Sequence, residues 1–401
     1  FFSVVLSVIN PTIEIQNYVD LISMSYILAA FIFFLFLARH FDVAVSFVAS
    51  LAVFYNFLFL RLKSEVVPEF LFISLFCLVL YLVFIEKKWT NYIIPIFLAL
   101  LVSVRFIGIS LVLAYVAHLL FSKEINLKEK ARQLLICLGI FGIVTLFVNH
   151  FFLNSINNQE VTLYGNVVLD RLNFTQLIEN ISIYPRYIMY FFEQEIPYLM
   201  NTVITICVFA CFFIGLIVSA KQKSNILHFA FSFYVLFLVV YPYNGDTIKY
   251  LIPIVPLLFY FIIYGLNYIL NKTTLKCKNQ IVVACLSVIL LSNSKTIWLA
   301  INHHSNQIGP YNIAAMADLE KVKQLVSPEK TIASGKPFII NLLSDRHSYF
   351  VGCINYQEVF TKADYFLSPK QSIAELYPKM QGVKVAKGDT VELKYFYLVK
   401  L

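Results

Sequence analysis

Apolar runs separated by short polar breaks dominate residues 1–302 of the sequence. A helix needs about 20 apolar residues to cross the hydrocarbon core of a bilayer. Most of the runs approach this length, so they predict about ten membrane-spanning helices. The predicted spans are residues 19–37, 43–60, 69–85, 92–104, 107–121, 133–150, 199–219, 227–241, 250–270 and 280–301. We therefore predict a polytopic α-helical membrane protein with a small C-terminal α/β soluble domain.

The composition excludes a water-soluble globular protein. Hydrophobic residues make up 60% of the chain and charged residues only 13%, whereas roughly a quarter of a soluble domain is charged. The net charge of +8 does not indicate nucleic-acid binding, because the basic residues lie in short loops between apolar runs. Membrane lipids are the expected surroundings, and nucleic acid is not an expected partner.

Basic loops orient the predicted spans. Lysine and arginine accumulate in cytoplasmic loops, which predicts that the loops with Arg39, Lys87, Lys88, Lys123, Lys128, Lys130, Arg132, Lys221, Lys223, Lys272, Lys276 and Lys278 are cytoplasmic. Alternation then places residues 61–68, Arg105, 151–198, 242–249 and the C-terminal tail outside. This alternation requires residues 92–121 to cross twice, which favours two short segments that meet at Arg105 over one long kinked helix.

The chain divides by composition into a transmembrane domain, residues 1–302, and an extracytoplasmic α/β domain, residues 303–401. Within the second domain, apolar periodicity predicts a helix over residues 313–325. Short β-rich segments predict strands at residues 331–334, 349–352 and 364–368, and a closing hairpin of residues 383–387 and 391–399. Strands that alternate with helices are typical of a small α/β layer.

The chain begins with Phe1 rather than Met. Its first nine residues are apolar but too few to cross a bilayer, and they lack the basic segment of a signal peptide. We therefore expect the sequence to be a fragment whose true N-terminus lies upstream.

Cysteine and histidine spacing predicts neither a disulfide framework nor a metal site. Cys207 and Cys211 share one face of a predicted helix, where packing is the simpler interpretation. His303 and His304 are adjacent on the chain, so their side chains point in different directions.

The segment from Arg61 to Glu69 contains an acidic residue, Glu65, just before Pro68 and the next apolar run. A carboxylate at a helix entrance is stabilised by the helix dipole. Glu65 could also serve as a catalytic base or a metal ligand. A simple helix cap with solvated charges is the alternative.

Arg105 interrupts an otherwise apolar stretch, Val102–Gly108. A guanidinium group there needs an anionic partner, and phosphate is a natural one. A snorkelling arginine or an internal ion pair explains the same pattern equally well.

Polar residues precede the proline-containing span that starts near residue 250. Tyr243, Asp246 and Lys249 lie there, and Lys249 is a candidate for binding a lipid phosphate. Arg186 lies among Tyr and Phe residues in the long loop. This pattern is typical of a surface helix, although an ordinary interfacial entry into the next span fits it equally well.

These segments, taken in order, resemble the GT-C superfamily of membrane glycosyltransferases. The similarity is to the branch that includes protein O-mannosyltransferases and aminoarabinose lipid A transferases. Ser64-Glu65 is similar to the acidic motif of that family, and Val104-Arg105-Phe-Ile-Gly108 is similar to its Arg-x-x-Gly segment. Lys249-Tyr-Leu-Ile-Pro-Ile-Val-Pro256 resembles its Arg-Tyr-Leu-x-Pro-x-x-Pro span, with Lys in place of Arg.

The resemblance implies transfer of a sugar from a polyprenyl-phosphate donor to a lipid, glycan or protein acceptor at the outer face of the membrane. It implies a catalytic role for Glu65 and donor-phosphate binding by Arg105 and Lys249. Asp246, Tyr243 and Arg186 are assigned to the acceptor or the interface. The cofactor is left open, with a divalent metal as one candidate. The principal acidic residue of the family lies upstream of Phe1, so this fragment is expected to lack it.

A bacterial inner (plasma) membrane is the expected location. Two other functions compete with sugar transfer. A flippase or polymerase of lipid-linked glycans requires charged groups along several spans, whereas the charges here concentrate at the outer ends of the spans. A non-catalytic membrane subunit whose tail binds a partner is the second alternative.

Overall fold

A computed structural model provides the structure of the chain. The residues that it describes are 15–63, 68–85, 87–122, 126–148, 150, 177–178, 180–184, 188, 191, 198–221, 226–240, 247–294, 313–334, 346, 348–350, 362–369 and 390–401. They belong to two compact units. The main segment of the first unit is Asp20–Asn302, and that of the second is His303–Leu401.

Apolar helices build the first unit. Their bounds are Ile15–Ala38 (α1), Val43–Phe54 (α2), Phe57–Lys63 (α3), Glu69–Val83 (α4), Thr90–Val104 (α5), Ile109–Phe121 (α6), Leu127–Val148 (α7), Tyr198–Ala220 (α8), Ile226–Val240 (α9), Thr247–Leu251 (α10), Val255–Asn271 (α11) and Lys278–Ser292 (α12). Single 3-10 turns, Phe106–Gly108 and Ile252–Ile254, precede α6 and α11.

Four helical segments in the described part of the chain are long and apolar enough to cross a membrane. They are Asp20–Ala38, Leu127–Val148, Thr202–Ala220 and Lys249–Asn271, and six shorter apolar helices accompany them. Large apolar side chains point outward from these helices, as Phe31, Leu135 and Ile206 illustrate. An apolar outer surface over an apolar core is the pattern expected of helices in lipid.

The predicted span over residues 43–60 is not one continuous helix, because the helix breaks near Asn56. Helix α2 ends at Phe54 and α3 begins at Phe57. The buried Asn56 side chain accepts a hydrogen bond from the backbone N–H of Leu58 at 2.9 Å and donates to the carbonyl of Phe191 at 3.0 Å. An asparagine that bonds to nearby backbone N–H groups competes with helix continuation. The apolar run therefore contains two helices.

The chain also turns sharply at Arg105. This residue is extended, with φ of −150° and ψ of 133°, and Gly108 approaches the backbone of α5. A Cβ atom at Gly108 would lie 2.9 Å from the carbonyl carbon of Leu101. In a continuous helix, these two residues would be roughly 10 Å apart along the axis. One continuous helix over 92–121 is thus excluded, in agreement with two short segments that meet at Arg105.

Helices α8 and α11 cross with their backbones in contact. A Cβ atom at Gly215 would lie 1.8 Å from the carbonyl oxygen of Phe261, and one at Gly265 would lie 1.9 Å from that of Cys211. Only glycine permits this approach, and small residues at helix crossings are typical of packing in membranes. The two glycines therefore allow α8 and α11 to pack in direct contact.

The second unit contains a mixed sheet next to the predicted helix α13, Ile313–Leu325. Its strands are Ile332–Ser334 (β1), Ser348–Phe350 (β2), Tyr365–Pro369 (β3), Thr390–Glu392 (β4) and Phe396–Lys400 (β5), in the spatial order β2-β1-β3-β5-β4. Strand β1 is parallel to β2 and β3, whereas β5 is antiparallel to β3 and β4. This sheet confirms the predicted small α/β domain.

The hairpin near the C-terminus lies at different residues from those predicted. Residues 391–399 do not form one strand, because β4 and β5 pair with each other across a turn at Leu393–Tyr395. The buried Asp318 carboxylate of α13 accepts a hydrogen bond from the backbone N–H of Tyr395 at 2.7 Å, which stabilises the turn. The other predicted strand of the hairpin, residues 383–387, lies outside the described residues.

A polar contact also joins β1 to β3. The Asp364 carboxylate accepts hydrogen bonds from the backbone N–H and the hydroxyl of Thr331, at 2.8 Å and 3.0 Å. Lys330 Nζ lies 2.8 Å from the same carboxylate, and its hydrogen bond lowers the pKa of Asp364. The carboxylate therefore stays ionised to a lower pH than that of a free aspartate.

The α8–α11 crossing predicts that two glycines differ in how well they tolerate replacement by alanine. We expect Gly265→Ala to lower the free energy of unfolding by about 1–3 kcal/mol, because the added methyl forces two backbones apart. The control is Gly139→Ala in α7, where a Cβ atom would meet nothing within 4 Å. This change should be neutral or slightly stabilising, since alanine is the better helix former. Thermal unfolding in detergent micelles measures both, and equal melting temperatures for the two variants would contradict the close crossing.

Candidate functional site

A buried ion pair joins the start of one helix to the end of another. Arg105 Nη1 lies 2.7 Å from Glu69 Oε1, and the two side chains are 14% and 1% exposed. Glu69 is the first residue of α4, so its carboxylate lies at the positive end of the helix dipole. Isolated charges are costly in an apolar interior, and pairing offsets part of that cost for both side chains.

Two tyrosines extend this pair. The guanidinium carbon of Arg105 lies 4.5 Å from the ring centroid of Tyr250 in α10, within the range of a cation–π interaction. The backbone carbonyl of Tyr250 accepts a hydrogen bond of 2.7 Å from the hydroxyl of Tyr234. Tyr234 belongs to α9 and is fully buried. We call Glu69, Arg105, Tyr234 and Tyr250 the arginine cluster.

The arginine cluster lies where several elements end. Glu69 starts α4, Arg105 follows α5, and Tyr250 lies in the short helix that precedes α11. A guanidinium group that is held by a carboxylate on its edge and a ring on its face keeps a defined orientation. The planar donors of arginine match the oxygens of phosphate. The structure therefore fixes the orientation of a side chain whose geometry matches phosphate.

The structure describes two of the predicted site residues, Arg105 and Lys249. Lys249 is half-buried in α10 and directly precedes Tyr250, whose ring contacts the Arg105 guanidinium. The two predicted phosphate-binding segments thus meet at the arginine cluster. Glu65, Arg186, Tyr243 and Asp246 lie outside the described residues.

Glu69, Tyr234 and Tyr250 were missed by the sequence interpretation. For Arg105, the structure shows the internal ion pair that the sequence left open as an alternative. The signal for Glu69 was present: it follows Pro68 at the head of an apolar run, where a carboxylate needs a cation. Tyr250 lay inside a recognised motif, whereas nothing in the sequence distinguished Tyr234 from the other tyrosines.

Metal ligands do not cluster in the described part of the chain. No group of three or more His, Cys, Asp or Glu residues there lies close enough together to hold a metal ion. Cys207 and Cys211 lie on α8, and both are free thiols among the described residues.

The buried pair predicts strong coupling between its two side chains. We expect Glu69→Gln to lower the free energy of unfolding by about 3–5 kcal/mol, because Arg105 then loses its buried counter-charge. The double variant Glu69→Gln/Arg105→Met should recover much of that loss, since no unpaired charge remains. Thermal unfolding in detergent micelles provides the double-mutant cycle. Strictly additive effects would contradict a coupled buried pair.

Comparison with known proteins identifies the fold. No protein-family model matches the chain, and no curated protein matches it by sequence. Among solved structures, it is similar to ArnT from Cupriavidus metallidurans bound to undecaprenyl phosphate, with a TM-score of 0.54 and 9% identity over 95% of this chain and 83% of that one. The apo form of the same ArnT matches with a TM-score of 0.52 and 11% identity, over 94% and 82% of the two chains. At such low identity the similarity shows the fold alone, and this chain has the membrane-protein fold of ArnT.

Proposed function

We propose that this protein is a membrane glycosyltransferase that takes a sugar from a polyprenyl-phosphate donor. The observation that carries the proposal is the oriented Arg105 guanidinium, held between Glu69 and Tyr250 at the ends of the helices. A similar fold binds undecaprenyl phosphate in ArnT. A lipid-linked phosphate could present its charged group at such a helix end while its polyprenyl chain stays in the bilayer.

The donor phosphate needs positive charge most when the glycosidic bond breaks. The bond between the anomeric carbon and the phosphate oxygen cleaves, and its electron pair leaves with the polyprenyl phosphate. Arg105 and Lys249 stabilise this leaving group through charge-assisted hydrogen bonds. Because Glu69 and Tyr250 already fix the guanidinium, little reorganisation is needed when the charge develops.

The acceptor supplies the new bond to the anomeric carbon. Its hydroxyl oxygen attacks that carbon, and its proton moves to a carboxylate acting as general base. We assign this role to Glu65, which lies four residues before Glu69 on the chain. The acceptor is a lipid, a glycan or a protein, and the reaction takes place at the outer face of the membrane.

Lys249 provides the cleaner test of donor binding. Replacing Arg105 would leave Glu69 buried without its cation, whereas Lys249 is only half-buried. We expect Lys249→Ala to weaken the binding of undecaprenyl phosphate about tenfold, which corresponds to one lost charge-assisted hydrogen bond. Titration of the purified full chain in detergent, followed by thermal shift, measures the affinity.

The matched control for this test is Lys321→Ala. Lys321 is an exposed lysine on α13 of the second unit, and its removal changes the net charge equally. The control should bind undecaprenyl phosphate like the unchanged protein. Equal affinity for the Lys249→Ala variant would remove Lys249 from the proposed site.

Glu65→Gln should separate binding from turnover in the full-length protein. The amide keeps the size of the side chain but cannot accept the acceptor proton, so we expect sugar transfer to be abolished. Folding and undecaprenyl phosphate affinity should be retained, since the assigned role is in the transfer step. Transfer of radiolabelled sugar from extracted lipid-linked donors measures turnover, and unchanged turnover would exclude Glu65 as the base.

A further inference from the structure

Lysines gather where α8 and α11 end and α12 begins. Lys221 follows α8, Lys272 follows α11, Lys276 lies in the connecting turn, and Lys278 starts α12. We call these four residues the lysine cluster. None of them belongs to the arginine cluster, and the proposed sugar transfer assigns them no role.

Packing brings these helix ends together. The Gly215–Gly265 crossing lies six residues before Lys221 and seven before Lys272, which is roughly 10 Å along each helix. Tyr268 interacts electrostatically with both Lys272 and Lys221. The backbone contact at the crossing therefore holds the ends of α8 and α11, with Lys221 and Lys272, near one another.

Local contacts order the cluster further. Lys272 Nζ lies 4.6 Å from the ring centroid of Tyr268, and Lys278 Nζ donates a 3.2 Å hydrogen bond to Asn271 Oδ1. The turn after α11 is closed by backbone hydrogen bonds from Lys272 to Ile269 and from Thr273 to Leu270. Lys272, Lys276 and Lys278 thus lie on one compact turn.

Acidic residues are scarce in the part of the sequence that carries the cluster. Between Glu195 and Asp318 the sequence contains a single acidic residue, Asp246, which is 26 residues before Lys272 on the chain. Helix α12 packs against α2, and the Asp42 carboxylate at the start of α2 caps the backbone N–H of Ala44 at 2.9 Å. Among the described residues of α2, α8, α11 and α12, their caps and the α11–α12 turn, four lysines thus face the single carboxylate of Asp42, and this net positive charge attracts anions.

The position of the cluster matches the headgroup level of a bilayer. Tyr250 and Lys272 are 22 residues apart, which is at most roughly 33 Å of helix, close to the thickness of a hydrocarbon core of about 30 Å. Leu275, between Lys272 and Lys276, is 46% exposed. Exposed apolar surface beside positive charge fits a lipid better than a free anion.

We propose that the lysine cluster is a binding surface for the phosphate headgroups of anionic phospholipids. The lysine side chains contact the phosphate oxygens, and Tyr268 and Leu275 lie against the upper part of the acyl chains. The surface belongs to the membrane face that the loop charges predict to be cytoplasmic. Lipid bound there would contact both the end of the α8–α11 crossing and the α11–α12 turn, and would stabilise their packing.

The test compares phosphatidylglycerol with phosphatidylcholine. The full chain in neutral detergent is titrated with each lipid, and the melting temperature is followed. We expect phosphatidylglycerol to raise it, phosphatidylcholine to have little effect, and inorganic phosphate at the same concentration to have little effect. In about 1 M NaCl, where the screening length falls to about 3 Å, the phosphatidylglycerol effect should disappear.

Replacing the lysines of the cluster by glutamine tests whether these residues bind the lipid. The variant Lys221→Gln/Lys272→Gln/Lys276→Gln should need about a hundredfold more phosphatidylglycerol for the half-maximal shift, because each of the three lysines contributes about fivefold. The control Lys321→Gln/Lys323→Gln/Lys394→Gln removes the same charge from exposed lysines of the second unit and should titrate like the unchanged protein.

Several outcomes would overturn the proposal. An unchanged phosphatidylglycerol titration in the cluster variant would place lipid binding elsewhere. Equal stabilisation by inorganic phosphate would indicate a site for free anions. A lipid effect that persists in high salt would rule out headgroup charge as its cause. Should the glutamine variant fail to fold, the salt and phosphate arms on the unchanged protein decide the question.

Discussion

The cost of burying charge in an apolar medium organises this structure. Arg105 and Glu69 are largely buried in a layer of apolar helices, and each neutralises the other. For this pair to form, the start of α4 and the end of α5 must lie close together in space. The helix therefore ends at Arg105, where the chain turns. Gly108 permits that turn by approaching the α5 backbone. The ion pair and the break in the helix are therefore two aspects of one constraint.

Charge elsewhere in the helical unit follows the same rule. The arginine cluster lies at one end of the α10–α11 segment and the lysine cluster at the other, so the apolar part between them carries no ionised side chain. Tyrosines accompany the cations at both ends, with Tyr250 against Arg105 and Tyr268 against Lys272. Aromatic rings that face cations at the borders of an apolar layer are expected of a protein in a bilayer.

Sequence interpretation succeeded wherever a periodic signal was long. The apolar runs located most helices within a few residues, and periodicity located α13 at residues 313–325. The predicted bounds of helices and strands were wrong where a hydrogen bond of a single side chain ended the element. Asn56 breaks an apolar run through hydrogen bonds to Leu58 and Phe191, and Asp318 stabilises a turn inside a predicted strand. The contacts to Phe191 and from Tyr395 join residues 135 and 77 apart in sequence, so no local pattern predicts them.

The amino-acid sequence by itself determined a membrane protein of many apolar helices, because its composition leaves too little charge to cover a soluble surface. It also determined that Arg105 needs an anionic partner, since an isolated guanidinium group is costly among apolar residues. Only the tertiary structure decided that this partner is Glu69 and that Tyr250 covers the guanidinium face. Helix packing determines these partners of Arg105, because an ion pair between residues 36 apart in sequence forms only when two helix ends meet in space.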